Sequence, residues 1–121
     1  MNLQRRFWPF VFWLWIVVVW LLSTLQLSAA PEVPNGDKIG HFVSYGILAW
    51  LAGNLGWNKW RVWLGASLMG VAVECTQYFL PWRSFDVLDM LANSSGALLG
   101  ILVVIAQQRW LLPCLAKRRK V

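Results

Sequence analysis

Acidic residues are scarce in this chain. Five Asp and Glu stand against eleven Lys and Arg in 121 residues, and charged residues make up 13% of the total, about half the share in an ordinary soluble domain. With 59% hydrophobic residues, that shortage excludes a typical soluble globule and points to a membrane protein. Cysteine is scarce too. Cys75 and Cys114 form no CxxC pair and imply no disulfide framework. No HExxH motif, phosphate-binding loop or nucleophile elbow is present, so no motif names a reaction. There is no internal repeat and no low-complexity segment. The length allows one domain, 1–121.

What is present is apolar sequence in four blocks. A hydrocarbon core about 30 Å thick needs roughly 20 apolar residues per helix. The blocks predict spans over about 7–28, 39–57, 62–80 and 87–106. The first is read as a retained helix, because its apolar core exceeds the usual signal-peptide length. Pro9 falls in its first turn, where a missing N–H costs little. The last span can run on to Leu112, with Pro113 as its limit. The link "AAPEVPNGDK" carries two prolines and an Asn-Gly turn signal. "NKWR" reads as a tight basic turn, and Ser84 or Asp86 as the cap of the last helix. Short links make sequential helices antiparallel.

The basic residues cluster at Arg5 and Arg6, at Lys59 and Arg61, and at Lys117 to Lys120. Each cluster flanks an apolar block. That is a topology signal, not a nucleic-acid surface, so no nucleic acid is expected as a partner. Both termini fall on the cytoplasmic side, and the two acidic links fall outside. The expected fold is all-α: a polytopic membrane protein, an antiparallel bundle of four transmembrane helices.

The polar residues inside the spans share one depth. They are Asp37, Lys38, His41 and Tyr45 on the second span, and Glu74 and Gln77 on the third. Asp86, Asp89 and Asn93 lie on the fourth, with Arg83 just before it. Positions 86, 89, 93, 96 and 100 fall within roughly an 80° arc of one helix, reading Asp, Asp, Asn, Gly, Gly. Positions 66, 70, 74 and 77 form a similar stripe, and 37, 41 and 45 are successive i, i+4 neighbours. Gly70, Gly96 and Gly100 are expected to let the helices approach closely. Glu74, Tyr45 and Asn93 lie about 9–11 Å below the outer helix ends. A charge at that depth costs several kcal/mol unless paired or wet. The stripes are therefore expected to meet in one outward-facing polar pocket.

The stretches "DKIGHFVSYGILAW" and "ECTQYFLPWRSFDVLDMLANSSGALLG", with their spacing, resemble the VanZ-like membrane protein family. The shared pattern is D-K-x-x-H-F-x-x-Y, then E-x-x-Q, then R-x-x-D-x-x-D-x-x-x-N-x-x-G. The resemblance implies a multi-pass protein of a bacterial inner membrane. It names no biochemical activity, and it does not imply that this chain confers drug resistance.

Three functional readings remain open. In the first, Lys38, Arg83 and His41 hold an anionic headgroup or lipid-linked envelope molecule. In the second, the chain is a membrane-embedded enzyme acting on a lipid-linked substrate. There a divalent cation held by Asp86, Asp89, Asn93, Glu74 and His41 activates a hydroxyl, or His41 serves as general base beside Asp37 or Glu74. In the third, the ionic groups fix helix register in a membrane assembly. No resident cofactor is called for by the sequence. Membrane lipid is the one partner it implies directly.

Overall fold

The structure is a computed structural model that describes residues 3–26 and 34–114. Those residues form four helices and no strand. They are α1 (Leu3–Thr24), α2 (Gly36–Asn54), α3 (Lys59–Tyr78) and α4 (Val87–Ala106), the last continuing through a π-helical stretch, Gln107–Leu111. The end of the first expected span, most of the first link, Arg5's side chain and the basic run Lys117 to Lys120 lie outside what is described.

Local chemistry moves several boundaries from their expected places. α2 begins at Gly36 because Asn35 takes the left-handed conformation, φ 59°, which Asn tolerates better than most residues. It ends at Asn54, ahead of Gly56 at φ 84°. α3 starts three residues earlier than expected. The Asn58 side chain accepts from the N–H groups of Trp60 and Arg61 at 3.1 and 3.2 Å and so caps the helix at Lys59. α1 also begins early, which places Pro9 inside the helix rather than in its first turn. Its ring therefore forfeits one internal backbone bond. Asp86, not Ser84, caps α4, accepting from Leu88 N–H at 2.8 Å.

Pro113 does not stop the last helix, which remains helical to Cys114. Just before the proline, Leu112 N–H donates to Gln107 O, five residues back. That widened turn lies where a normal turn would bring the ring against a carbonyl.

Side-chain pairings set the relative directions of the helices. Lys38 meets Asp86 and Trp50 meets Gln107, so α2 and α4 run parallel. Ser67 meets Ser94 and Glu74 meets Asp86, so α3 and α4 are antiparallel. Trp15 Nε1 donates to Ser44 O at 3.0 Å, while Trp8 stacks edge-on against Trp50. α1 therefore runs antiparallel to α2. Gln77 reaches Ser23 O at 2.8 Å, tying the end of α3 to the end of α1.

The tightest seam lies between α2 and α4. A Cβ built on Gly96 would overlap the carbonyl oxygen of Phe42, and one on Gly100 would overlap that of Gly46. Backbone meets backbone there, as small residues allow. Below the seam Tyr45, Leu48, Ala49, Ala97 and Ile101 join Phe12, Val62 and Ala66 in one apolar core.

The polarity is inverted relative to a water-soluble fold. Glu74, Gln77 and Asn93 are buried, while Trp13, Ile39, Leu64, Leu68, Leu91 and Leu102 are exposed. That is the pattern of a chain whose surroundings are lipid. Arg6–Thr24 and Val87–Cys114 are long and apolar enough to cross a membrane by length and composition. α2 and α3 fall short on that measure because they carry the polar residues.

Candidate functional site

Helix geometry decides which polar groups can meet. α2 and α4 start at the end where α3 stops. A Cα–Cβ bond tilts toward the N-terminus of its own helix. Side chains on α2 and α4 therefore lean toward that end, and those on α3 lean away from it. Groups set at slightly different depths are brought to one level.

His41, Glu74 and Asp89 meet at this level. His41 Nε2 lies 3.9 Å from Glu74 Oε1 and 3.7 Å from Asp89 Oδ2. All three residues are buried, Glu74 completely. One donor atom from each lies within 4.8 Å of the others, so the three can hold a metal ion. The His41 distances are too long for direct hydrogen bonds. They leave the groups facing one another across a gap.

The other Glu74 oxygen is occupied. Oε2 accepts from the backbone N–H of Asp86 at 3.2 Å, so this carboxylate takes one of the free N–H groups at the start of α4 and lies at the positive end of its dipole. That contact also holds Oε1 toward His41.

Tyr45 and Asn93 each lie one turn below this cluster, at i+4 from His41 and Asp89. Both are fully buried. The Tyr45 hydroxyl, both amide atoms of Asn93, Glu74 Oε1 and Asp89 Oδ1 have no hydrogen-bond partner in the chain. Asp89 Oδ1 is 3.5 Å from Lys38 Nζ, an ion contact without hydrogen-bond geometry. Gly70 makes room for the Asn93 amide, since a Cβ there would lie 2.8 Å from Asn93 Nδ2.

The remaining residues form the rim. Lys38 Nζ binds Asp86 Oδ2 at 2.9 Å and reaches Asp89 as well. Asp86 is a capping group at the helix end, and the Lys38 ammonium together with the Leu88 N–H holds its carboxyl below the usual carboxylate range. Arg83 pairs with Asp37 at 3.5 Å and donates to Leu22 O at 3.1 Å. Gln77 turns to α1 rather than to the cluster. Of the residues expected to share a pocket, the inner set is thus His41, Glu74, Asp89, Tyr45 and Asn93. Lys38, Asp86, Arg83 and Asp37 lie above it, and Gln77 lies to one side.

A cavity of about 140 Å³ opens beside His41, lined also by Ser23, Gly40, Ser44 and Arg83. It is smaller than the roughly 300–1,000 Å³ typical of sites that enclose a drug-sized molecule, so it admits one small polar group. Sequence reasoning missed Ser23. Its signal was a polar residue near the C-terminal end of the first span, which the structure sets level with Gln77.

Four carboxylates, Asp37, Glu74, Asp86 and Asp89, face two cations, Lys38 and Arg83. The carboxyl groups outnumber the cations by two, and both cations are already paired.

A family model described as VanZ/LLP1 matches residues 2–112. Comparison with curated proteins and with solved structures finds no match.

Proposed function

The chain belongs to the VanZ/LLP1 family, and on that premise we propose that it is a multi-pass protein of a bacterial inner membrane that binds an anionic or lipid-linked cell-envelope molecule at its outer face. All four helices cross the bilayer in this reading, with both termini cytoplasmic. The excess of Lys and Arg at the α2–α3 turn over the acidic links supports that orientation. The exposed apolar residues on α2 and α3, such as Ile39, Val43, Leu64 and Leu68, support placing these two helices in lipid despite their polar inner faces.

The observation that carries the reading is that five of the six buried polar atoms without partners among the described residues lie on Tyr45, Glu74, Asp89 and Asn93, the sixth being Trp8 Nε1. Native proteins leave few such groups, and each costs about 1–3 kcal/mol. Five on residues of one cluster favour a site built for an outside ligand over a packing device.

Charge refines the chemistry. A phosphate approaching a region with more carboxyl groups than cations is disfavoured unless a cation comes with it. A divalent ion on His41, Glu74 and Asp89 offsets that excess and links the cluster to the phosphate, as carboxylate–metal–phosphate arrangements do. Its oxygen and imidazole donors suit Mg²⁺, Mn²⁺ or Zn²⁺. The small cavity beside His41, lined also by Arg83 and Asp37, supports a place for the phosphate next to the cluster, with the rest of the ligand in the membrane. A second reading, transfer or hydrolysis at that phosphate, is supported by His41 standing between two carboxylates, where it can accept a proton.

The test is lipid mass spectrometry on protein purified from native membranes, with and without a chelator wash. Wild type is expected to carry an anionic lipid that the chelator strips, and Asp89→Asn is expected to lack it. Equal lipid content in Asp89→Asn and wild type, at equal thermal stability, would leave only a structural role for the cluster.

A further inference from the structure

The other end of the molecule has the opposite character. There α1, α2 and α3 enclose a cavity of about 390 Å³. Its wall is hydrocarbon: Phe12 and Ile16 from α1, Leu48 and Ala52 from α2, Ala66 and Met69 from α3. Arg61 and Asn58 also line it, and both are exposed, so they stand at its mouth. Trp57 borders the opening, with Trp60 exposed nearby on the same turn, as indoles do at headgroup level.

Arg61 has no counter-ion here. Among the described residues no ion pair includes it. Asp37, Glu74, Asp86 and Asp89 all lie at the far end of the fold. None of the acidic side chains among the described residues is placed to neutralise this guanidinium. Water does not suit the cavity itself, because an apolar wall offers too few hydrogen-bond partners. An apolar recess with an unpaired arginine among the described residues at its mouth matches one hydrocarbon chain ending in a phosphate.

We propose that this cavity takes one acyl chain of an anionic phospholipid, whose phosphate is held by Arg61 and Asn58 in the leaflet opposite the polar cluster. Arginine suits the task because its fork binds phosphate oxygens in pairs. The site would tie the α1–α2–α3 end of the protein to lipid of one charge. It stands on the membrane placement alone and is independent of any ligand at His41.

Gly65 supplies a clean perturbation. It lines the cavity, and a Cβ built on it meets nothing within 4 Å. A side chain can therefore start from Gly65 without a clash, Gly65→Phe is chosen to place a ring in the recess, and replacing a mid-helix glycine does not weaken α3. The experiment is native mass spectrometry of the full chain in detergent, with phosphatidylglycerol or phosphatidylcholine of identical acyl chains added. Wild type is expected to retain one phosphatidylglycerol, about tenfold over phosphatidylcholine, whose own choline ammonium offsets the phosphate charge that Arg61 attracts. Arg61→Ala should lose the preference yet still bind either lipid weakly. Gly65→Phe should lose both lipids at unchanged helical content. Equal retention of the two lipids by wild type would overturn the proposal. So would undiminished phosphatidylglycerol on Gly65→Phe, or a second copy of the chain in place of lipid.

Discussion

Replacing Gly96 with alanine tests how packing and site depend on each other. The new methyl would overlap the carbonyl oxygen of Phe42, with that residue's Cα only 2.9 Å away. Neither atom belongs to a flexible side chain, so α2 and α4 must move apart. Overpacking of this kind costs about 1–3 kcal/mol. Because Lys38 and His41 lie on α2 while Asp86 and Asp89 lie on α4, the same movement lengthens every contact between those pairs. Gly40 is the control. It lies on α2, and a Cβ there meets nothing within 4 Å. Gly40→Ala should therefore be neutral or stabilising by about 0.5–1 kcal/mol, the helix preference of alanine over glycine. Gly46→Ala should fall between, since its Cβ would lie 3.2 Å from Gly96 O. Equilibrium unfolding in mixed micelles, followed by tryptophan fluorescence, measures all three. If Gly96→Ala proves no less stable than Gly40→Ala, the close α2–α4 seam is wrong, and so is the site geometry that depends on it.

Further outcomes follow from single contacts. Asn93→Leu removes two unpartnered buried polar atoms at similar volume, so stability should hold or rise by about 1 kcal/mol or more while ligand retention is lost; large destabilisation would mean that the amide is paired within the chain. The Asp86 carboxyl is held below its usual value by Lys38 and the Leu88 N–H. A depressed carboxylate stabilises the fold at pH above its unfolded value, about 4, and that contribution disappears as pH falls through the lower folded value. Acid titration of stability should therefore show a shallower loss in Asp86→Asn than in wild type, and parallel curves would refute the pairing. Trp63→Phe deletes the 3.2 Å bond to Ser94 O and should cost about 0.6 kcal/mol, the average for such bonds between membrane helices.

The inner faces of α3 and α4 could be read from sequence because helical spacing is strict. Positions 70, 74, 89, 93, 96 and 100 all come out buried. The partner glycine on α2 was not legible. Ala49 and Gly53 follow Gly46 at helical spacing, but that stripe was not singled out, and only the observed parallel register shows that Gly46 meets Gly96 and Gly100. Helix starts were misplaced where a cap or a left-handed residue decided them, as at Asn58 and Asn35. Hydropathy alone cannot see such chemistry. Spacing placed Gln77 on the same stripe as Glu74, but a stripe does not say which neighbour a long side chain prefers. The free carbonyl of Ser23 took it toward α1. That Lys38 and Arg83 would meet carboxylates followed from their shared depth, but the particular pairing of Lys38 with Asp86 and Asp89, and of Arg83 with Asp37, did not. That pairing turns a region that reads as an anion site by its cations into one that needs a cation.

Placement of the polar end outside the cell underlies this account, and substituted-cysteine labelling tests it most directly. With Cys75 and Cys114 replaced by serine, single cysteines at Asp37 and at Asn58 are exposed to a charged, membrane-impermeant maleimide in cells whose outer barrier has been removed. Asp37→Cys should label in intact cells and Asn58→Cys only after the membrane is opened. Labelling of Asn58→Cys from outside, with Asp37→Cys protected, would contradict it.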